Sequence, residues 1–93
     1  MPTESPHWKD EAKRDLADII AYSAADNPAA ADALLDRIET RAALLPTQPL
    51  AHRAGRIPGT REMVLHPNYI LVYSVTDAAV TILRLLHAAR DRP

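Results

Sequence analysis

The chain has 93 residues, enough for a single domain spanning 1–93 and too few for a large multi-cofactor enzyme. Apolar residues make up 47% of it, but 17 of them are Ala and none is Phe, so the core must be built mainly from Leu, Ile and Val. Eleven Lys and Arg against twelve Asp and Glu give a formal charge of −1, which excludes a broadly basic nucleic-acid binder and a long acidic tail.

The average conceals a split: residues 1–45 carry nine acids against five bases, and residues 46–93 carry six arginines against three acids. Every cation in the second half is therefore Arg, whose rigid fork matches phosphate and carboxylate groups. The absence of Cys rules out disulfides and thiolate zinc sites and suits a reducing compartment. No apolar run approaches the roughly 18 residues needed to span a bilayer, and residues 1–8 have neither a basic region nor an apolar stretch. A cytoplasmic protein without a membrane partner is the expectation.

In chain order, Ala12, Leu16, Ile19, Ile20 and Ser23 fall on one stripe of a helix predicted near residues 9–25. Trp8, the only Trp, is placed to anchor beneath it. Asn27 followed by Pro28 is a restart signal, since Asn caps orphan amides and Pro at the first helical position loses no hydrogen bond. Ala31, Leu34, Leu35, Ile38, Ala42 and Leu45 then recur at helical spacing up to Pro46, which predicts a helical hairpin. Pro46, Pro49, Gly55, Pro58 and Gly59 mark a loop over about 46–60.

Beyond the loop the period changes to that of strands, over 61–66, 69–76 and 79–87, separated by Pro67-Asn68 and Asp77-Ala78. Two tight connections make an antiparallel meander, with the hairpin covering one face and the other left for a partner or substrate. The fold class is thus α+β: an N-terminal two-helix hairpin packed on a small, three- to four-stranded antiparallel β-sheet.

Five groups of residues in this order are similar to the RelE/ParE superfamily of bacterial toxins. They are Asp15-Leu16-x-x-Ile19 with Tyr22, Asn27-Pro28-x-Ala30-Ala31, Gly55-Arg56-x-x-Gly59-Thr60-Arg61-Glu62, Tyr69-x-x-Val72-Tyr73, and Ile82-Leu83-Arg84-x-Leu86-His87. The resemblance implies a type II toxin neutralised by a cognate antitoxin in a hetero-oligomer, with no cofactor. Superfamily members usually open with a strand. Here Thr3-Glu4-Ser5-Pro6-His7 contains a Pro and no apolar alternation, so a first strand is short, at an edge, or absent.

The resemblance leaves two activities open. ParE-like members poison DNA gyrase by binding it; RelE-like members cut messenger RNA on the ribosome. Metal-free RNA cleavage needs a group to activate the 2′-hydroxyl, a cation beside the developing phosphorane charge and an acid for the leaving oxygen. Under that alternative Arg61, His87 and Arg90 are the catalytic candidates. Other positions where the superfamily carries sheet cations hold Met63, Leu65 and Ile70, and no Tyr follows Tyr73. The near-neutral charge and the missing cations favour gyrase, with Arg53, Arg56, Arg61, Arg90 and Arg92 as the target-binding set. A third reading, from another class, is an inert member that persists as an interaction scaffold.

Plainer roles stand beside these. His87 is also a strand-end residue able to pack beside Leu85 or cap the sheet edge. Arg84 alternates with Val80, Ile82 and Leu86, which reads as a partly buried Arg paired with a carboxylate such as Glu62. Tyr69 and Tyr73 share a face and belong to the core. His7, His52, His66 and His87 show no ligand spacing, so no metal site is expected.

Overall fold

The computed structural model describes residues 5–66, 68–77 and 79–88. A short strand β1 (His7–Trp8) leads into α1 (Asp10–Asp26) and α2 (Pro28–Ala43), followed by a single 3-10 turn (Leu45–Thr47). Strands β2 (Arg53–Ala54), β3 (Thr60–His66), β4 (Tyr69–Thr76) and β5 (Ala79–His87) follow.

Asn27 is the whole connection between the helices. Its N–H donates to Ser23 O at 2.9 Å and closes α1, while its Oδ1 accepts from Ala30 N at 3.1 Å and opens α2. Pro28 takes the first helical position, where a missing N–H costs nothing. Asp10 and Glu11 in the first turn of α1 offset its positive end.

The sheet departs from the sequence expectation in number and direction of strands. Among the described residues it has five, in the order β1-β5-β4-β3-β2, and it is mixed, because β1 runs parallel to β5 with His7 opposite Thr81 and Trp8 opposite Ile82. The hairpin is accordingly preceded by a strand and is not the first element. At the other edge, part of the expected loop pairs as β2, with Arg53 opposite Glu62 and Ala54 opposite Arg61. Both additions are two-residue strands, whose pairing is decided by the neighbouring strand and not by their own pattern.

One face of the sheet carries the core. Met63 and Leu65 from β3, Leu71 and Tyr73 from β4, and Val80, Ile82 and Leu85 from β5 pack against Ala12, Ile19, Ile38 and Ala42 of the helices. Trp8 and Tyr69 pack at its margin, as read from the sequence.

Two register shifts decide which side chains reach that face. Val72 of β4 pairs with Arg84 and Tyr73 with Ile82, so Leu83 is an extra residue in β5. Before it, Val80 and Ile82 face the helices; after it, Leu85 does, and Arg84 shares a row with Val72 and Glu62 on the opposite, open face. The simple alternation of Val80, Ile82, Arg84 and Leu86 therefore breaks at Leu83. Arg84 pairs with Asp15 of α1 and not with Glu62: its Nε and Nη2 donate to the carboxylate at 2.7 and 3.2 Å, and Leu85 N donates to the same carboxylate at 3.0 Å. The second shift lies between Val64 and His66 in β3. There Arg41 of α2 donates to the carbonyls of Val64 at 3.1 Å and Leu65 at 3.4 Å. Each helix thus sends one charged side chain to an irregularity in the strand beneath it.

The segment between the 3-10 turn and β3 is held from below. Tyr73, fully buried in β4, donates its hydroxyl to Pro49 O at 2.8 Å, and burial raises its pKa, so it remains a donor. Arg61 donates to His52 O at 2.8 Å and Leu50 O at 3.4 Å. His52 meets Tyr73 edge to face, with ring centroids 6.3 Å apart. Burial, and then the charge of Arg41, lower the His52 pKa.

Two predictions follow from these contacts. Asp15→Ala should destabilise the fold by about 1–3 kcal/mol in urea unfolding, since it deprives the Leu85 N–H of a charged acceptor. Arg84→Ala removes only a half-exposed partner and should cost below about 1 kcal/mol. Because folded His52 resists protonation, the unfolded chain takes up a proton that the native chain refuses once pH drops below the ordinary imidazole range. Stability is lost in that direction, and the fall in Tm between pH 7.5 and 5.5 should be smaller in His52→Gln than in the parent.

Candidate functional site

The sequence candidates separate into three places. Arg53 and Arg56 gather on Glu62, which is 6% exposed and is the one buried acid among the described residues. Arg53 Nη2 lies 3.1 Å from Glu62 Oε1; on Oε2, Arg56 places its backbone N–H at 3.3 Å and its Nε at 3.9 Å. A carboxylate removed from water needs such partners, so Glu62 fixes both arginines beside the edge strand. Their side chains remain 58% and 45% exposed, so each offers part of its guanidinium outward.

The turn behind them explains the two glycines of the motif. A Cβ at Gly55 would collide with the Thr60 side chain, and Gly55 N donates to Thr60 O at 2.8 Å. Gly59 has a φ of 85°, in the left-handed region that other residues rarely adopt. Thr60 closes the turn through Ile57 O, with its hydroxyl at 2.6 Å.

Arg61 neighbours Glu62 in sequence and so points to the opposite face of β3, where it holds the loop carbonyls of Leu50 and His52. It does not join Arg53 and Arg56.

His87 lies in a third place. The extra residue Leu83 turns it to the helical side, where its ring packs edge to face on Tyr69 with centroids 5.3 Å apart. The two rings line a cleft of about 520 Å³ with Asp18, Ile19 and Tyr22 of α1. Arg61 and His87 are opposite Tyr73 and Tyr69, positions four residues apart on β4. That is roughly 13 Å along the strand, with a further strand spacing to each side. Arg90 and Arg92 lie outside the described residues.

The open face of the sheet is mostly apolar. Ile70 and Val72 form its centre and are themselves buried, Val64 and Leu86 flank Ile70, and Glu62 and Arg84 flank Val72. Among the described residues, no three His, Cys, Asp or Glu side chains gather as metal ligands, and no helix is long and apolar enough to cross a membrane.

Three features of the site escaped the sequence reading. The Arg84 partner suggested from sequence, Glu62, is instead held by Arg53 and Arg56; an acid beside the apolar run of a strand is a signal that it needs partners. Asp15 sits close to the Ala12 and Ile19 stripe of the helical wheel, which marks it for burial. Tyr22 stands off that stripe, a large ring with no core to enter.

Relatives place this arrangement in a family. Residues 7–92 match the family described as the ParE toxin of the type II toxin-antitoxin system, parDE. Y4kP of Sinorhizobium fredii is 39% identical over 94 aligned positions, covering 100% of this chain and 97% of the relative. Toxin RelE2 of Caulobacter vibrioides is 36% identical over 85 positions, covering 89% and 93%. Among solved structures, the chromosomal ParDE system from P. aeruginosa superposes with a TM-score of 0.80 at 22% identity, over 91% of this chain and 96% of that one. The E. coli DinJ-YafQ complex gives 0.55 at 17% identity, over 99% and 100%. The extent of the family match and the identity to these relatives together show that the chain belongs to the ParE toxins of type II toxin–antitoxin systems, within the RelE/ParE superfamily.

Proposed function

We propose that this toxin acts by binding DNA gyrase, through a surface that includes Arg53 and Arg56, and not by cutting RNA. The observation that carries the reading is the separation of the would-be catalytic groups. His87 is turned beneath α1 and Arg61 is engaged with loop carbonyls, both on the helical side of the sheet and roughly 13 Å apart along the strand, while the opposite face is lined by Val64, Ile70, Val72 and Leu86. A phosphodiester laid on that face meets no paired acid and cation. Glu62, the carboxylate on the same face, has both oxygens engaged by Arg53 and Arg56. A fixed, partly exposed pair of arginines instead suits electrostatic docking on a macromolecule. In this reading Arg61 positions the loop, and Arg90 and Arg92 extend the cationic contact.

The antitoxin, the kind of partner found in the P. aeruginosa ParDE system, is assigned to the outer face of the helical hairpin. Trp8, Leu16, Ile20, Ala21, Ala24 and Leu35 line an apolar groove of about 530 Å³ there, with Lys13 and Glu39 at its rim. An amphipathic helix laid into such a groove buries its apolar stripe while the rim charges set its register.

Two experiments test these assignments. Purified toxin should inhibit gyrase supercoiling, and Arg53→Gln/Arg56→Gln should weaken that inhibition at least about tenfold while the circular dichroism spectrum is kept; a tenfold change corresponds to about 1.4 kcal/mol. Induced cells should show DNA breaks with intact transcripts, and ribosome-bound message cut within codons would refute the gyrase reading. Ala21→Arg, on an exposed position of the groove, should leave toxicity intact and abolish rescue by the co-expressed antitoxin.

A further inference from the structure

The cleft over His87 is lined by groups that suit a cation. Tyr22 is 79% exposed, an unusual exposure for a large ring on a packed helix. At about 100° per residue, Asp18 and Asp26 fall about 40° to either side of it, one turn before and one turn after. Tyr22 and Tyr69 together wall two adjoining clefts. The one of about 520 Å³ contains Asp18 and His87, and the one of about 660 Å³ contains Asp26 and Asn27. Tyr69 is held in place by the edge-to-face packing on His87.

Among the described residues, the charges around this site are few and can be named. Asp15, the next acid on the helix, is bound to Arg84 and Leu85. Asp18 and Asp26 form no ion pair among the described residues. Arg14 lies one turn before Asp18 without pairing to it, and Arg37 of α2 lines a third depression of about 350 Å³ that shares Ser23, Ala30 and Tyr69 with the larger cleft. Among the described residues, two carboxylates without an ion-pair partner thus flank an exposed ring that shares both clefts with a second ring.

We propose that this cleft binds the guanidinium of an arginine on a basic segment of a protein partner. A planar cation stacks on the face of Tyr22 while Asp18 or Asp26 accepts its N–H groups, the pairing for which guanidinium is best shaped. The clefts have room for one side chain with its alkyl stem lying between Tyr22 and Tyr69. This surface is on the side of α1 opposite the apolar groove of Leu16, Ile20 and Ala24, so α1 presents two separate recognition faces. The assignment stands on the cleft alone and does not depend on gyrase being the target.

The test is a chemical-shift titration of the 15N-labelled full chain in low-salt buffer. The probes are N-acetyl-arginine N-methylamide and, in parallel, N-acetyl-norleucine N-methylamide, which keeps an alkyl stem and lacks the charge. Saturable shifts at Asp18, Tyr22, Asp26 and Tyr69 are expected for the arginine probe, with millimolar affinity at least about fivefold tighter than for norleucine. Tyr22→Phe should stay within about twofold of the parent, whereas Tyr22→Leu and Asp18→Asn should each weaken binding roughly three- to fivefold. These side chains are exposed, and an unchanged circular dichroism spectrum confirms that each variant is folded; Asp26→Asn serves as a second carboxylate variant. Equal response to both probes, undiminished binding in Tyr22→Leu, or shifts confined to other surfaces would overturn the proposal. So would a loss in Tyr22→Phe as large as in Tyr22→Leu, because the ring face would then not be what binds.

Discussion

An extra residue in a strand reverses the facing of everything after it, and the surface of this toxin is organised around one such residue, Leu83. It sends Leu85 and His87 to the helices and Arg84 and Leu86 to the open face. Without it, the row beside Val72 would lose its Arg and His87 would lie on the uncovered side of the sheet. The distribution of chemistry between the two faces is thus a matter of register before it is a matter of residue type.

The irregular positions are made tolerable by the helices above them. A strand that breaks register leaves backbone groups in search of partners, and an unmet one in a dry setting costs as much as a lost hydrogen bond. Here the assignment is by sign: the carboxylate of Asp15 receives an N–H near the β5 shift, and the guanidinium of Arg41 donates to carbonyls near the β3 shift. These long-range contacts tie helices to sheet in a domain whose helical core positions are largely alanine, at Ala12, Ala31 and Ala42. In a chain of 93 residues with so little bulk at the interface, polar ties contribute an appreciable share of the specificity of docking.

The helices and the three long strands were legible in the sequence because each has an internal signal: a 3.6-residue apolar stripe, the Asn27-Pro28 boundary, and β-branched runs ended by Pro67-Asn68 and Asp77-Ala78. The short strands β1 and β2 were not, since two residues carry no period and borrow their conformation from Ile82 and Glu62 next door. Facing within β5 was misread for a related reason. Alternation reports a face only while the count of residues matches the partner strand, and nothing in Ile82-Leu83-Arg84-Leu85 marks which apolar residue is supernumerary. The arginines Arg53, Arg56 and Arg61 were legible as a charged group, yet their division depends on Glu62 being buried, a property of the closed turn between Gly55 and Thr60.

The single-residue joint at Asn27 has a geometric corollary for changes in chain length. Because one residue caps both helices, α1 through its backbone N–H and α2 through its side chain, there is no spare loop to absorb an insertion or deletion. Adding one residue to α2 upstream of Ile38 would turn its buried stripe by about 100° away from the sheet. The elbow between the helices must therefore keep its spacing if Ile38 and Ala42 are to stay against the sheet.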